Sequence, residues 1–324
     1  MQANILVIIP ARGGSKGIPR KNLRSLNGMP LIYYAIANAR SITAGDTDVY
    51  VSSEDDEILT IASKFSAKTV KRDLANAGDK ITLDPVIYEA YQKIRKIEGK
   101  EYDLVITLQP TSPLLKPQSL NKAVQFLLDT GLDTLISGIY DTHLTWLKKG
   151  NRYEPNYEKR VNRQELPQLY KETGGFVISR VGNIKPDSRF GAQVQIFPVS
   201  KSEAIDIDDF EDWNICDYYL KRKKLLFVLC GNNEVGMGHV YNTLSIANEI
   251  LNHRIAFLVD ANSQLAYDKI TDFNYEVEMQ QHDDIVEDIK QLSPDIVIND
   301  RLDTTEQYMK ELTGIVDKVI TFED

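Results

Sequence analysis

The chain has 324 residues, of which 42% are hydrophobic and 26% charged, and a formal net charge of -9. This is globular usage, which excludes a wholly disordered chain, and the length points to two domains at about 150 residues each. The acidic balance argues against non-specific attraction to nucleic acid or anionic membranes, and two cysteines, Cys216 and Cys230, are too few for a disulfide framework.

The longest apolar runs, Ile5 to Ile9 and Leu225 to Cys230, fall far short of the roughly 20 residues of a spanning helix. No basic residue precedes the first run, so neither a membrane span nor a signal peptide is expected, and the expected location is the cytoplasm. Short Val- and Ile-rich runs alternate with helical patterns along the chain, which predicts the α/β class with a mostly parallel sheet covered by helices.

Asn4 to Pro10 reads as a first strand, followed by a Gly-rich loop and a helix from about Pro30. No carboxylate precedes Asp46, whereas Arg12, Lys16, Arg20, Lys21, Arg24 and Arg40 do, so a local polyanion site is expected. The loop Ala11-Arg12-Gly13-Gly14-Ser15-Lys16-Gly17-Ile18-Pro19-Arg20-Lys21-Asn22 lets the backbone approach an anion closely while cations flank it. It is neither a Walker A loop nor a G-x-G-x-x-G fingerprint, which weakens generic ATPase and dehydrogenase readings.

Val49 to Ser52 is the next predicted strand, and Asp84-Pro85 reads as the N-cap and first turn of a helix. Asp103 to Leu108 is a predicted buried strand ending in Gln109-Pro110-Thr111-Ser112-Pro113. Ligands of open α/β sheets bind at the carboxyl ends of strands, so this loop and the Gly-rich loop should face one crevice. Tyr140 to Gly175 is less periodic and basic, and reads as an excursion from the sheet.

In Ala204-Ile205-Asp206-Ile207-Asp208-Asp209-Phe210, strand alternation puts Asp206 and Asp208 on one face. Such a pair suits magnesium shared with phosphate oxygens, and the same spacing also fits a helix N-terminus at Asp208. A helix is predicted from Asp208 to about Lys221. Lys221-Arg222-Lys223-Lys224 then precedes a new strand, Leu225 to Cys230, and marks the expected boundary between domains 1–222 and 223–324. These four cations fit a helix C-terminus better than a nucleic-acid or targeting signal. Beyond them come a Gly-rich turn, a helix with His239 at its start, and strands near Ala256 to Val259, Asp295 to Asn299 and Lys318 to Thr321, a second and smaller α/β unit.

Five motifs occur in order over about residues 4 to 222: IPARGGSKGIPRKNL, RDLANAGD, LQPTSPL, RQELP and IDIDDFEDW. Together they closely resemble the acylneuraminate cytidylyltransferases, the CMP-sialic acid synthetase family. The resemblance implies a Rossmann-like nucleotidyltransferase that joins CTP to a nine-carbon 2-keto sugar acid, requires Mg2+ and releases pyrophosphate. On this resemblance Arg12 and Lys21 match cations on the triphosphate, and Gly13, Gly14, Ser15 and Lys16 match the nucleotide loop. Asn22, Arg72 and Thr82 fall where the family contacts base or ribose, and Asp79 keeps the spacing of an acidic element beside them. Gln109, Thr111 and Ser112 match the loop beneath the sugar acid. Arg163 and Gln164 match an element that meets the sugar carboxylate or triphosphate from a partner subunit, which implies a homodimer, and Asp206 and Asp208 match the metal-binding pair.

Two departures leave the sugar open among legionaminic, pseudaminic, KDN-like and N-acetylneuraminic acids: Glu172-Thr173-Gly174-Gly175 where the family often has Asn-Gly-Ala, and Leu115 in place of a frequent Arg. The enzymatic alternative is a KDO cytidylyltransferase, whose loop usually lacks the Gly-Gly-Ser-Lys-Gly arrangement. The alternative from another class is a non-catalytic nucleotide-binding scaffold, against which Arg12, Lys21, Asp206 and Asp208 all stand. In the second domain, GMGHVYNTL and PDIVINDRLDTTEQY resemble the N-terminal lobe of the nucleotide-sugar hydrolases of pseudaminic acid biosynthesis, of glycosyltransferase-B architecture. That resemblance makes His239 a candidate at a sugar, with a structural His at a helix start as the alternative, and Asn242 stands where an Arg is often found. Only one lobe's worth of residues follows the boundary, so the expectation is either a longer natural chain or a lobe turned interaction module.

Overall fold

Burial along the first strand sets the architecture. In β1 (Ala3–Pro10), Ile5, Val7 and Ile9 enter one apolar layer and Leu6 and Ile8 another, as in a central strand covered on both faces. The structure is a computed structural model, and it describes residues 2–78, 80–302 and 304–322. Two compact units divide between Leu220 and Lys221.

The first unit adds β2 (Gly45–Ser53), β3 (Lys68–Lys71), β4 (Leu104–Leu108), β5 (Thr134–Tyr140), β6 (Tyr170–Arg180) and β7 (Val194–Pro198). They form one sheet in the order β7-β5-β6-β4-β1-β2-β3, parallel throughout except β6, which runs against both its neighbours. Its helices are α1 (Leu31–Arg40), α2 (Asp56–Lys64), α3 (Leu83–Glu98), α4 (Pro117–Asp129) and α5 (Phe210–Lys221). Ile32 and Ile36 of α1, Ile58 of α2 and Leu120 and Val124 of α4 pack on the Ile5, Val7 and Ile9 face. Ile87, Tyr91 and Ile94 of α3 cover the opposite face at Leu6 and Ile8. Each fully buried aliphatic side chain of this kind contributes about 1.5–3 kcal/mol.

Three local expectations are corrected. Thr82, not Asp84, stands at the N-cap of α3, and Asp84 lies in the first turn, 3.1 Å from Arg189 Nη1. Tyr170 to Gly175 is not part of the excursion but opens β6. The pairing register shifts between Glu172 and Val177, around Gly174-Gly175, which breaks the alternation that a strand reading depends on. The excursion itself carries a small hairpin of Trp146–Lys149 with Arg152–Pro155. Finally, α5 begins at Phe210 because Asp209 caps it, its Oδ1 accepting from the N–H groups of Glu211 at 2.8 Å and Asp212 at 3.1 Å, so Asp208 stays outside the helix.

The second unit comprises β8 (Lys224–Leu229), β9 (Arg254–Val259), β10 (Glu276–Met279), β11 (Ile296–Asp300) and β12 (Lys318–Thr321), with α6 (Gly238–Glu249), α7 (Gln264–Asp272), α8 (Ile285–Leu292) and α9 (Glu306–Ile315). Its sheet is wholly parallel in the order β10-β9-β8-β11-β12. Phe227 faces a layer with Val240 and Leu244 of α6 and Ile270 of α7, and Leu226 and Val228 face Ile289 of α8 and Leu312 of α9. Among the described residues no helix is long and apolar enough to cross a membrane.

Candidate active site

The chain leaves β1 for β2 and β3 on one side, then crosses to β4 on the other, so strand order reverses between β1 and β4. At such a switch point the carboxyl ends of the two strands open a crevice. The loops that follow β1 and β4 border a cavity of about 300 Å³ there.

The first loop is fixed by bonds to its own far end and to β2. Ala11 N–H donates to the Ser52 carbonyl at 3.0 Å, and Asn22 Nδ2 donates to the Arg12 carbonyl at 2.9 Å, folding the loop back on itself. Arg20 turns the chain in a left-handed conformation at φ 56°, and Lys21–Leu23 makes a single 3-10 turn. Ile18 anchors the loop: it is fully buried with Ile207, Trp213 and Cys216 in a small apolar cluster. The loop and the acidic segment therefore share one core, although nearly two hundred residues separate them in sequence.

Ile207 N–H donates to the Thr111 carbonyl at 2.8 Å, pinning the acidic segment to the loop after β4. With Ile207 turned inward, Asp206 and Asp208 both line the cavity, as alternation predicts, although no regular strand forms here. Lys21 Nζ donates to the Ile207 carbonyl at 2.5 Å and stands 3.9 Å from Asp208 Oδ1. Asp206 Oδ1 is buried with no hydrogen-bond partner. Burial pushes the Asp206 carboxyl above the usual range, and the charge of Asp208 adds to this. Lys21 opposes the shift, as does Thr111, whose hydroxyl is near but outside hydrogen-bonding geometry.

Arg12, Ser15, Lys21 and Asn22 line the cavity from the first loop, Gln109 and Thr111 from the second, and Arg72 from the turn after β3. Ser112 is buried nearby, and Gly174 of β6 lies against it and against Asp206. A Cβ there would stand 3.0 Å from Ser112 Oγ and 3.1 Å from Asp206 Oδ1, so only glycine fits without displacing them.

Other expected residues lie elsewhere. Gly13, Gly14 and Lys16 belong to the loop but not to the cavity lining, and Thr82 is exposed at the head of α3. Asp79 lies outside the described residues. Arg163 and Gln164 are exposed on a 3-10 turn of the excursion, where the Arg163 guanidinium sits 5.4 Å from the Tyr140 ring centre. The sequence reading missed Asn76, Ala77, Gly78, Ile81, Leu83 and Val86, which form the wall between β3 and α3. Half of the signal was present, since Asn76, Ala77 and Gly78 belong to RDLANAGD, whereas Ile81, Leu83 and Val86 lie beyond it.

In the second unit the strand order reverses between β8 and β11, and Asp300 closes the carboxyl end of β11. Its Oδ1 lies 2.9 Å from Nδ1 of His239, the second residue of α6.

Residues 6–235 match the cytidylyltransferase family. A pseudaminic acid cytidylyltransferase of Campylobacter jejuni is 30% identical over 216 residues, covering 64% of this chain and 92% of that protein. The post-translational flagellin modification protein B of Campylobacter coli is 27% identical over 230 residues, covering 69% and 97%. N-acylneuraminate cytidylyltransferase A of Danio rerio is 30% identical over 226 residues, 68% of this chain, but the match spans only about half, 51%, of that relative. Among solved structures, a CMP:2-keto-3-deoxy-manno-octonic acid synthetase complexed with CTP superposes with a TM-score of 0.50 at 16% identity, covering 67% of this chain and 98% of the other, which supports the fold. With the family match extending over more than half of its length, the chain is a nucleotidyltransferase of the cytidylyltransferase family.

Proposed function

We propose that this chain transfers CMP from CTP to the anomeric hydroxyl of a nonulosonic, sialic-type 2-keto sugar acid and releases pyrophosphate. One juxtaposition carries the reading: Arg12, Lys21 and Arg72 share a cavity at the sheet's switch point with Asp206 and Asp208. The sugar hydroxyl oxygen attacks the α-phosphorus, the bond from that phosphorus to the β-phosphate bridging oxygen breaks, and the hydroxyl proton leaves to solvent. Such a reaction needs positioning and charge neutralisation more than covalent help from the protein. Arg12 and Lys21 stabilise the charge on the departing pyrophosphate, Arg72 and Asn22 hold the nucleoside side, and Gln109 and Thr111 orient the sugar acid.

Asp206 and Asp208 would hold Mg2+. They fit it: Asp206 offers a buried oxygen without a hydrogen-bond partner, and Asp208 offers an exposed one. Such a cation takes one or two protein carboxylates and completes its shell with phosphate oxygens and water. When bound, it supplies neutralisation of phosphate charge.

We further infer a homodimer in which the excursion, with Trp146, Leu147, Tyr153 and Leu169 exposed, meets a second copy and brings Arg163 and Gln164 to its crevice. The two buried, unpaired cysteines agree with a cytoplasmic location. For the second unit we infer a nucleotide-sugar hydrolase-like lobe from its two motifs, with His239 held by Asp300.

The deciding measurement is pyrophosphate release from CTP and Mg2+ with a panel of legionaminic, pseudaminic, KDN, N-acetylneuraminic and KDO acids. Turnover with one nine-carbon acid is expected, and silence across the panel would sink the proposal. His239→Ala should leave that turnover within about threefold, since it sits in a unit with its own core.

A further inference from the structure

We propose that Glu54, the residue that follows β2, is a positioning residue for nucleotide binding: its two carboxylate oxygens hold the first glycine of the phosphate loop and face the buried guanidinium of Arg72. The inference rests on the cytidylyltransferase reading and assigns a function to a residue that does not line the cavity. Glu54 Oε1 accepts from Gly13 N–H at 2.6 Å, while Oε2 lies 3.7 Å from Arg72 Nη1, buried and without a hydrogen-bond partner.

Arg72 is 6% exposed, and its Nη2 donates to the Ser52 carbonyl at 2.7 Å. Burial lowers the Arg72 pKa, Glu54 is the largest influence opposing this, and Arg12 adds to the lowering. Two arginines thus face one wall of a site before any anion arrives, and Glu54 supplies the nearby negative charge that makes this tolerable. The same carboxylate fixes the loop from below. Glu54 therefore prepares both the loop backbone for the triphosphate and the Arg72 cation for the nucleoside side, so that nucleotide binding need not reorder them.

The next residue repeats the arrangement. Asp55 accepts from Arg20 Nη1 at 2.5 Å, and a Cβ on Gly13 would stand 2.5 Å from its Oδ2. The turn between β2 and α2 is thus an acidic seat under a basic loop. Glu54 is the member of that seat that touches both the loop and a cavity-lining side chain.

The test is CTP binding by calorimetry together with steady-state kinetics for wild type, Glu54→Gln and Glu54→Ala, with melting curves to confirm folding. Loss of a hydrogen bond to a charged group predicts that Glu54→Ala weakens CTP binding and raises the CTP KM by about tenfold or more. Glu54→Gln keeps an acceptor for Gly13 but loses the charge, so about threefold is expected. The sugar-acid KM should move less than about twofold in either variant, a split that a general loss of structure would not produce. Unchanged CTP binding in a folded Glu54→Ala protein overturns the inference, and so does tighter binding, which would make Glu54 an occupant that phosphate displaces. If Glu54→Ala does not fold, unchanged CTP affinity in Glu54→Gln overturns it as well. Wild-type protein that binds no CTP overturns the cytidylyltransferase reading and this inference together, whereas wild-type binding with indifferent variants overturns this inference alone.

Discussion

Gly17 and Asp208 meet backbone to backbone: a Cβ on Gly17 would stand 2.0 Å from the Asp208 carbonyl oxygen and 3.3 Å from its carbonyl carbon. The Gly-rich loop and the acidic segment touch because one of them lacks a side chain. The constraint is space, not a left-handed backbone, so no other residue type relieves it.

Gly17→Ala should push the two segments apart. Overpacking costs about 1–3 kcal/mol, or roughly 2–4 °C of Tm per kcal/mol in a domain of this size. Turnover should fall further than stability accounts for, because Lys21 and Asp208 would no longer face each other across one gap. A Gly17→Ala protein with wild-type Tm and wild-type turnover would show that the contact is not maintained in solution.

Asp206→Asn should separate stability from activity. The Asp206 carboxyl is raised by burial, so its ionised form is less favourable in the folded chain than in the unfolded one. That cost is absent below the unfolded value of about 3.9 and complete above the folded pKa. The ligand-free Asn variant is therefore expected to melt a few degrees higher than wild type at pH 7, with the gain vanishing as pH falls through the folded pKa to below about 4. Turnover should drop roughly 100-fold or more. A lower Tm at pH 7 would contradict the raised pKa, and intact turnover at saturating Mg2+ would falsify the metal assignment.

On β2 the sign reverses. Burial works against the Asp48 carboxylate, but hydrogen bonds from Lys68 at 2.8 Å, Tyr102 at 2.9 Å and Lys100 at 3.3 Å prevail and hold its pKa below the usual range. The stability it contributes is present above about pH 3.9 and lost as pH falls through the folded pKa. Lys68 is half exposed, so solvent screening limits the effect, and Asp48→Asn should cost about 1 kcal/mol at pH 7. Denaturant melts of both proteins at pH 7 and near pH 2 check this, with the curves expected to converge in acid.

Arg163 tests the dimer. Mixing an Arg163→Ala chain with an Arg12→Ala chain should restore part of the activity through one hybrid site, since each crevice would draw Arg12 from one chain and Arg163 from the other. Proven heterodimers that stay inactive would count against catalysis across the interface.

The loop from Ala11 to Asn22 and the Asp206, Asp208 pair were legible because their chemistry is contiguous in sequence and their residue types are unusual together. β1, β4 and β8 were legible because burial leaves unbroken apolar runs. β6 was half hidden, since the glycine pair and the register shift erase alternation where the strand begins. Asp209 took the capping position beside an equally plausible Asp208, a choice that only backbone geometry makes. Glu54, Gly17 and Gly174 could not be singled out, because what each does depends on an atom brought near by folding: Glu54 meets Gly13 across 41 positions, and Gly17 meets Asp208 across the length of the unit.

The outermost strands of the two sheets are short and guarded. β3 carries Lys68 and Lys71, and β7 ends at Pro198; in the smaller sheet, β10 carries Glu276 and Glu278, and β12 begins with Lys318. Charge and proline at a sheet margin discourage another chain from adding a strand there. Copies of this protein can therefore be crowded without zipping together along their backbones, and any lasting association must be negotiated between side chains, where single substitutions can tune it.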